Sequence, residues 1–417
     1  MIIEILKILL AVPQAYFVFY SLLMIGAVFA VLIFKIRYKK SRLEKVYPLR
    51  FAIMVPAYRA NKQLLNVLDA CLNQKYPYDK FDVFVLAQHC PAGLVKSIRQ
   101  KGITVFEKTF DDCEGNSYLH ALNYFITAIE KHCGKNVYDA IVLVDKDNLL
   151  DRHFLEKINS RFAEGYRAVQ GRRKPLNLDT RAACMDYVSE TMNDMMFRAA
   201  KAGVGLSAEI SGSGMAFDFK LYKEAITRVD FQSPVHDKTF YIELLKSGVH
   251  VFYEPEAVLF DEKTESYQGI SHQRTRWMSG QFYLCRKYFF KLITLGIQQF
   301  RFDPIDYAFT LLKIPRAIHV LGLAFWLVLA VVFPDISMVS WQEWGFYLAG
   351  YFLSIIFFLI MDKAPKEVFL ALLSSPLFAL SLMKSIFKTI TGKFQRGFIH
   401  TRHTKVVRME DLQKNRM

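Results

Sequence analysis

Cysteine is scarce in this sequence, and its arrangement excludes the common cysteine-based sites. None of the six cysteines forms a CxxC pair or lies near a histidine at the spacing of zinc ligands. Such thiols are typical of a reduced, cytosolic protein. Two phosphate-binding motifs are also missing, since the chain contains neither GxGxxG nor GxxxxGK followed by Ser or Thr. A dinucleotide site or a P-loop therefore has no support in the sequence.

The composition indicates a soluble domain joined to membrane segments. Hydrophobic residues make up 53% of the chain and the mean hydropathy is +0.16, yet 22% of the residues are charged. The formal net charge of +15 is compatible with nucleic-acid binding. However, the basic residues cluster beside apolar runs, as between Lys35 and Arg42, which is typical of cytoplasmic anchoring to anionic lipid. We therefore expect the lipid bilayer as a partner and no nucleic acid.

Three apolar runs predict membrane spans. Residues 9–34 carry no charge, exceed the ~20 residues that cross a bilayer, and are too long for the apolar core of a signal peptide. The basic cluster that follows predicts that the N-terminus is outside and that the next section is cytoplasmic. Residues 317–334 and 344–361 are the other two predicted spans. The loop between them has no Lys or Arg and is expected outside.

Two further apolar segments predict helices that lie in the membrane interface. Residues 281–297 mix aromatic side chains with Arg286, Lys287 and Lys291, as amphipathic interfacial helices do. Residues 368–383 precede a basic tail, which would lie outside the membrane if this run crossed it. Three spans are therefore predicted, and four are the alternative.

Between residues 45 and 275, short apolar runs alternate with helical stretches. The strand candidates are Phe51–Val55, Val83–Ala87, Ala140–Val144 and Ala168–Gln170, and the helix candidates are residues 61–74, 117–132 and 152–164. This alternation predicts an α/β domain with a mostly parallel sheet. In such sheets, ligands bind at the carboxyl ends of the strands.

Residues that could contact a ligand lie at the ends of three of these strands. They are Pro56, Ala57, Tyr58, Gln88, Asp145 and Asp147. On an extended strand end, Asp145 and Asp147 would point to the same side. Two hard oxygen ligands placed in this way suit Mg²⁺ or Mn²⁺ held together with a diphosphate. A solvated acidic turn has the same pattern and remains the alternative.

A glycine-rich stretch and a single acid come next. Residues 211–217 read Ser-Gly-Ser-Gly-Met-Ala-Phe, in which Gly212 and Gly214 permit a close backbone approach to a ligand before a predicted strand. A plain turn is the alternative. Asp237 precedes a helical run over Phe240–Lys246. It is either the N-cap of that helix or a general base.

Gln273, Arg276 and Trp277 stand just before the chain returns to apolar sequence. In a helix they share one face, because they are three and four residues apart. An amide, a guanidinium and an indole suit the hydroxyls of a sugar, the oxygens of a phosphate and the apolar side of a pyranose. A helix that anchors Trp277 at the lipid interface and leaves Arg276 solvated is the alternative.

The order of these motifs resembles the membrane-integrated family 2 glycosyltransferases with a GT-A fold, such as cellulose, chitin, hyaluronan and poly-N-acetylglucosamine synthases. The matching elements are Val55-Pro56-Ala57-Tyr58, Asp145-x-Asp147, Gly212-x-Gly214-Met215-Ala216-Phe217, Asp237 and Gln273-x-x-Arg276-Trp277. The resemblance implies a Rossmann-like GT-A domain in the cytoplasm. The expected divisions are residues 1–44 (spanning helix and basic segment), 45–275 (GT-A domain), 276–391 (interfacial and spanning helices) and 392–417 (basic tail).

The resemblance also implies which residues bind the donor. Pro56, Ala57 and Tyr58 would line the uridine pocket. Asp145 and Asp147 would hold the nucleotide and a divalent metal, Mg²⁺ or Mn²⁺.

On the acceptor side, the resemblance makes Asp237 the catalytic base. Gln273, Arg276 and Trp277 would bind the acceptor sugar and the diphosphate. Arg402 belongs to a C-terminal element that would close over the nucleotide, and a solvated basic tail is the alternative.

The chain departs from the family pattern in three places. Gln88-His89 stands where many relatives have Asp-Asn, so the Asp that contacts uracil is missing. Asn116 replaces the lysine of Gly-Lys-Gly, and His236 replaces the glutamate before the catalytic Asp. These changes leave the nucleotide base and the donor sugar open.

The resemblance implies an inverting, processive transfer from a UDP-sugar to a growing polysaccharide, on the cytoplasmic side of a bacterial plasma membrane. One alternative is a single addition to a lipid-linked acceptor. Another is a degraded, non-catalytic synthase subunit, which the residues at Gln88, His89 and Asn116 motivate. Three spans are few for a pore, so an export subunit or a homo-oligomer is an expected partner.

Overall fold

The computed structural model describes residues 2–39 and 46–374. Its α-helices are α1 (Ile2–Arg37), α2 (Gln63–Leu72), α3 (Ala92–Gln100), α4 (Ser117–Cys133), α5 (Phe154–Ala163), α6 (Arg181–Asp194), α7 (Ala200–Gly203), α8 (Phe219–Arg228), α9 (His236–Lys246), α10 (Tyr267–Gln299), α11 (Phe302–Leu311), α12 (Arg316–Val332), α13 (Trp341–Met361) and α14 (Lys366–Ala371). A π-helical turn, Met195–Ala199, joins α6 to α7. Short 3₁₀ turns cover Tyr78–Lys80, Pro334–Ile336 and Leu372–Ser374.

The strands are β1 (Phe51–Tyr58), β2 (Phe81–Gln88), β3 (Thr104–Glu107), β4 (Ala140–Leu143), β5 (Asn148–Leu150), β6 (Ala168–Pro175), β7 (Met215–Asp218) and β8 (Val251–Asp261). They form one sheet in the order β3-β2-β1-β4-β7-β6-β8-β5. The pairs β1–β2, β1–β4, β2–β3 and β6–β8 are parallel, whereas β7 is antiparallel to both neighbours and β5 to β8. The predicted α/β fold with a mostly parallel sheet is confirmed.

Both faces of the sheet are buried, which explains the nearly continuous apolar runs of its central strands. In β1, Phe51, Ile53 and Val55 face the core that includes α2, α3 and α5, while Ala52 and Met54 face the core that includes α4, α6, α8 and α9. The alternation follows from the two-residue period of a strand. The sheet is thereby held rigidly between two helical layers, with its carboxyl edge available for ligands.

Among residues 2–39 and 46–374, two helices are long and apolar enough to cross a membrane, namely α1 and α13. The predicted spans 9–34 and 344–361 fall within them. The predicted span 317–334 corresponds to α12, which meets the same criterion only together with α11, as a pair bent by 75°. The predicted interfacial segment 281–297 lies within α10, a helix of 33 residues that begins before residue 275. The run 368–383 extends beyond the described residues, and Arg402 lies outside them.

The end of α13 is attached to the sheet domain through Asp362. Its carboxylate is buried and accepts hydrogen bonds from Lys174 Nζ at 3.0 Å and from Thr191 Oγ1 at 2.9 Å. Arg172 and Tyr187 bind the same carboxylate. These contacts join a candidate spanning helix to β6 and α6, so α13 and the sheet pack together.

Candidate active site

The acidic pair Asp145 and Asp147 lies in the turn between β4 and β5. The turn is closed by a hydrogen bond of 3.1 Å from Asn148 N to Asp145 O. The expectation of an extended strand end was therefore wrong, because β4 already ends at Leu143. Lys146, between the two acids, donates to the backbone carbonyl of Tyr58 at 2.5 Å. This bond ties the turn to the end of β1.

Asp145 is the most perturbed carboxyl of the turn. Burial raises its pKa to about 7, and the neighbouring carboxylate of Asp147 adds to the increase, while Arg173 and a hydrogen bond from Tyr118 oppose it. The Tyr118 hydroxyl lies 3.3 Å from Asp145 Oδ1. The backbone N–H of Asp145 donates to Ser213 Oγ at 3.0 Å, which fixes the turn against the glycine-rich loop.

The donor set of this turn fits a hard divalent cation. Two half-buried carboxyl groups that repel each other gain most from a positive charge between them. The side-chain oxygen of Asn148 is buried and has no hydrogen-bond partner within the described part of the chain. Over the same residues, no group of three or more His, Cys, Asp or Glu could hold a metal. Mg²⁺ commonly binds through one or two carboxylates plus substrate phosphates, and the pair matches that pattern.

The glycine-rich loop places α9 against this turn. Gln170 binds the loop at both ends, accepting from Ser211 N at 2.9 Å and donating to Ser213 O at 3.2 Å. Gly212 has φ of +85°, and a Cβ added there would lie 2.9 Å from Nε2 of His236 and 3.8 Å from Cβ of Asp237. The loop therefore needs glycine for both its conformation and its closeness to the start of α9.

Asp237 lies in the first turn of α9, whose N-cap is Val235. The alternative of a capping aspartate is therefore excluded. His236 is oriented towards Gly212, and its ring lies 4.5 Å from that of Tyr118. Burial lowers the pKa of His236, which keeps the imidazole neutral, although the adjacent Asp237 opposes this.

Arg276 joins the long helix α10 to the acidic groups. Burial lowers the pKa of its guanidinium, and the carboxyls of Asp237 and Asp145 raise it, so all three groups lie within electrostatic range of each other. Gln273, on the same face of α10, has a buried side-chain oxygen with no hydrogen-bond partner among the described residues. The indole of Trp277 is partly exposed and lies 5.7 Å from the guanidinium carbon of Arg274. The structure thus confirms that this motif is helical and brings its arginine to the acids.

The other end of the pocket lies at the ends of β1 and β2. Pro56 and Ala57 are buried within the sheet, so Tyr58 is the member of that motif with an accessible side chain. Gln88 is buried at the end of β2. The next residue, His89, has φ of +51°, packs edge-on against Tyr58, and contacts the carboxylate of Asp111 at 2.6 Å. Asp111 had no signal in the sequence, because it reaches this place from a loop.

Asn116, at the position of the family lysine, has a structural role. Its side chain caps α4 by accepting from Tyr118 N, and it donates to Ser233 O at 2.8 Å. It therefore links the start of α4 to the loop before α9. Gly214 is also held structurally, since a Cβ there would lie 2.0 Å from a methyl carbon of Leu259.

Sequence reasoning missed Arg173, Tyr118 and Ser213. Arg173 binds Ser211 O at 3.1 Å and Asp261 at 2.7 Å, and it is the cation that most opposes the raised pKa of Asp145. Its position near the carboxyl end of a strand was the available signal. Tyr118 and Ser213 gave none, because their side chains meet Asp145 only in the folded chain.

The sequence model of the family described as "Glycosyltransferase like family 2" matches residues 48–280, more than half of the chain. The chain belongs to this family. A curated relative of this family 2 glycosyltransferase is the "Probable glycosyltransferase YdaM" of Bacillus subtilis (strain 168), 20% identical over 315 residues, which are 70% of each chain. Members of the class transfer a sugar from a nucleotide sugar.

Two solved structures are similar to this family 2 glycosyltransferase. Mannosyltransferase PcManGT from Pyrobaculum calidifontis, solved with GDP-Man and Mn²⁺, is 17% identical and covers 94% of this chain and 100% of its own, with a TM-score of 0.57. TarS from S. aureus, solved with UDP-GlcNAc, is 12% identical and covers 84% of this chain and 93% of its own, with a TM-score of 0.38. The first likeness shows the GT-A fold.

Proposed function

We propose that this protein is an inverting, metal-dependent glycosyltransferase that moves a sugar from a nucleoside diphosphate sugar to an acceptor at the membrane surface. The observation that carries the proposal is the grouping of Asp145, Asp237 and Arg276, which come from the turn after β4, the start of α9 and the long helix α10.

On the donor side, Asp145 and Asp147 would hold Mg²⁺ or Mn²⁺. When bound, the cation neutralises charge that develops on the departing diphosphate. Arg276 and Arg173 add fixed positive charge at the same place, in a site partly closed to water. Tyr58 and the His89–Asp111 pair are placed to contact the nucleoside.

On the acceptor side, Asp237 is the general base. It accepts the proton of the acceptor hydroxyl as that oxygen attacks the anomeric carbon from the face opposite the diphosphate. This geometry inverts the configuration at that carbon. The partly exposed ring of Trp277 offers a stacking surface that orients the acceptor sugar, and Gln273 supplies a hydrogen-bonding amide.

UDP-sugars remain the first donor candidates from the resemblance, and GDP-mannose is the second because PcManGT was solved with it. We further propose that α1 and α13 anchor the protein in a bacterial plasma membrane with the catalytic domain in the cytoplasm. The polymer acceptor is expected from the Gln273-x-x-Arg276-Trp277 motif, with secretion by a partner subunit or an oligomer. Single addition to a lipid-linked acceptor is the second candidate, which the cavity described next favours.

The test is product analysis with the purified full-length protein, Mn²⁺ and a panel of radiolabelled UDP-sugars and GDP-mannose. Transfer of label from one donor into a lipid or polymer fraction is expected. A ladder on a gel would show processive extension, and one discrete product would show single addition. No metal-dependent binding of any nucleotide would contradict the proposal and favour a non-catalytic subunit.

A further inference from the structure

Two basic residues at the bend between α11 and α12 line a cavity outside the catalytic pocket. Lys313 and Arg316 surround it together with Tyr20 of α1, Phe197 of the π-helical turn and Tyr351 of α13. Its volume is about 30 Å³, which is room for about two water molecules. The space therefore suits the oxygens of a small anion and excludes a sugar ring.

Neither cation forms an ion pair with a carboxylate within the described ranges 2–39 and 46–374. Lys313 Nζ lies 4.6 Å from the ring centre of Phe197, and Arg316 donates to the amide oxygen of Asn193 at 2.7 Å. The acids of this region are bound to another cation, because Lys201 pairs with Glu209 and Asp306.

These two ion pairs measure 2.7 Å and 2.5 Å. Two half-buried positive charges at one cavity are costly unless an anion joins them.

The cavity is built into the fold. The Tyr16 hydroxyl accepts from Ile314 N at 2.9 Å and donates to Leu312 O at 3.1 Å, and the Tyr20 hydroxyl donates to Phe309 O at 2.6 Å. These bonds pair backbone groups that have no helical partner because the chain bends there. If the bend lies in a membrane segment, such groups must be paired within the protein. Helix α1 therefore holds the two cations in place.

Hydrogen bonds connect the cavity to the catalytic pocket. Lys238, next to Asp237, donates to the side-chain oxygen of Gln281 at 2.7 Å. The amide nitrogen of Gln281 donates in turn to the backbone carbonyl of Lys313, also at 2.7 Å. The side chains of Lys238 and Gln281 thus connect the residue next to Asp237 with the backbone of Lys313.

We infer that Lys313 and Arg316 bind the phosphate of a lipid acceptor. The cavity is lined by the π-helical turn and by α1, α12 and α13, and a ligand that enters between these three helices comes from the bilayer in which α1 and α13 are proposed to lie. A guanidinium and an ammonium together match the oxygens of a phosphate. The inference rests on the proposed function, because it places the lipid anchor of the acceptor beside the pocket that holds Asp237.

The experiment measures lipid binding to the full-length protein in phosphatidylcholine nanodiscs by native mass spectrometry. The probes are a polyprenyl phosphate, the matching polyprenol, phosphatidic acid and inorganic phosphate. The variant Lys313→Met/Arg316→Gln removes both cations of the cavity. The control variant Arg286→Gln/Lys291→Met also removes one arginine and one lysine, but from the exposed face of α10. Lys313→Arg tests whether charge alone suffices, and size-exclusion profiles identify any misfolded variant.

A lipid phosphate should bind the wild type, the α10 control and Lys313→Arg alike, and bind the cavity variant at least about tenfold more weakly. Preference for polyprenyl phosphate identifies an isoprenoid carrier, and equal binding of phosphatidic acid identifies a phospholipid headgroup. Equal binding of polyprenol, or of inorganic phosphate alone, would overturn the inference, as would unchanged binding by a folded cavity variant. Failure of the proposed function would appear separately, as a wild-type protein that binds no nucleotide with Mn²⁺.

Discussion

Tyr118 donates a hydrogen bond of 3.3 Å to Oδ1 of Asp145. The bond stabilises the ionised form of a carboxyl group that burial and Asp147 push towards the protonated form. Tyr118 stands two residues after Asn116, whose side chain accepts from the Tyr118 N–H and caps α4. The helix cap therefore places the phenol that helps to keep the proposed metal ligand Asp145 charged.

Replacing Tyr118 with Phe should weaken metal binding by several-fold, because one hydrogen bond to a charged group is lost. The Mn²⁺ concentration for half-maximal transfer would show the effect, and it should be larger at pH 6.5 than at pH 8. The matched control is Tyr222→Phe, since that buried hydroxyl has no hydrogen-bond partner among the described residues. Equal behaviour of the two variants would disprove the role of Tyr118.

Metal affinity should depend on pH through Asp145. Its pKa is raised to about 7 from an ordinary 3.8, so the metal must displace a proton below pH 7. Mn²⁺ binding measured by calorimetry should be about tenfold weaker at pH 6 than at pH 8. Between pH 3.8 and about pH 7, Asp145 of the folded, metal-free protein holds a proton that the unfolded chain releases. The free energy of unfolding therefore falls as the pH rises through this range. Asp145→Asn should abolish both dependences.

Gly212→Ala should impair catalysis more than folding. The positive φ costs an alanine about 1 kcal/mol, and the new Cβ would press on His236 and shift the start of α9. Gly205→Ala is the control, because Gly205 has φ of +81° and no heavy atom within 4 Å of an added Cβ. Both variants should lose similar stability, but only Gly212→Ala should lower kcat. An equal kcat in the two would contradict the account of the loop.

Sequence order predicted the fold well because the signals were local. Short apolar runs, with or without two-residue alternation, predicted the strands. The spacing of Gln273, Arg276 and Trp277 predicted the helical face that brings Arg276 to Asp145 and Asp237. Asp111 and Tyr118 could not be predicted, since each meets its partner only in the folded chain. The resemblance predicted that Pro56 and Ala57 line the uridine pocket, but both residues are buried within β1.

Asp362→Asn should destabilise the protein by about 3 kcal/mol or more, because Arg172 and Lys174 would lose a buried partner. The unfolding temperature in detergent should fall by several degrees. Asp335→Asn, an exposed acid in the turn between α12 and α13, provides a control without this effect. A normal unfolding temperature for Asp362→Asn would show that α13 is not attached to the domain through this residue.

The central claim is that Asp237 is the base of a sugar transfer at this site. Transfer from the identified radiolabelled donor should fall by about a hundredfold or more in Asp237→Asn, while metal-dependent nucleotide binding is kept. Asp79→Asn removes an exposed carboxylate in the 3₁₀ turn Tyr78–Lys80 and should transfer at the wild-type rate. Wild-type transfer by Asp237→Asn would contradict the account.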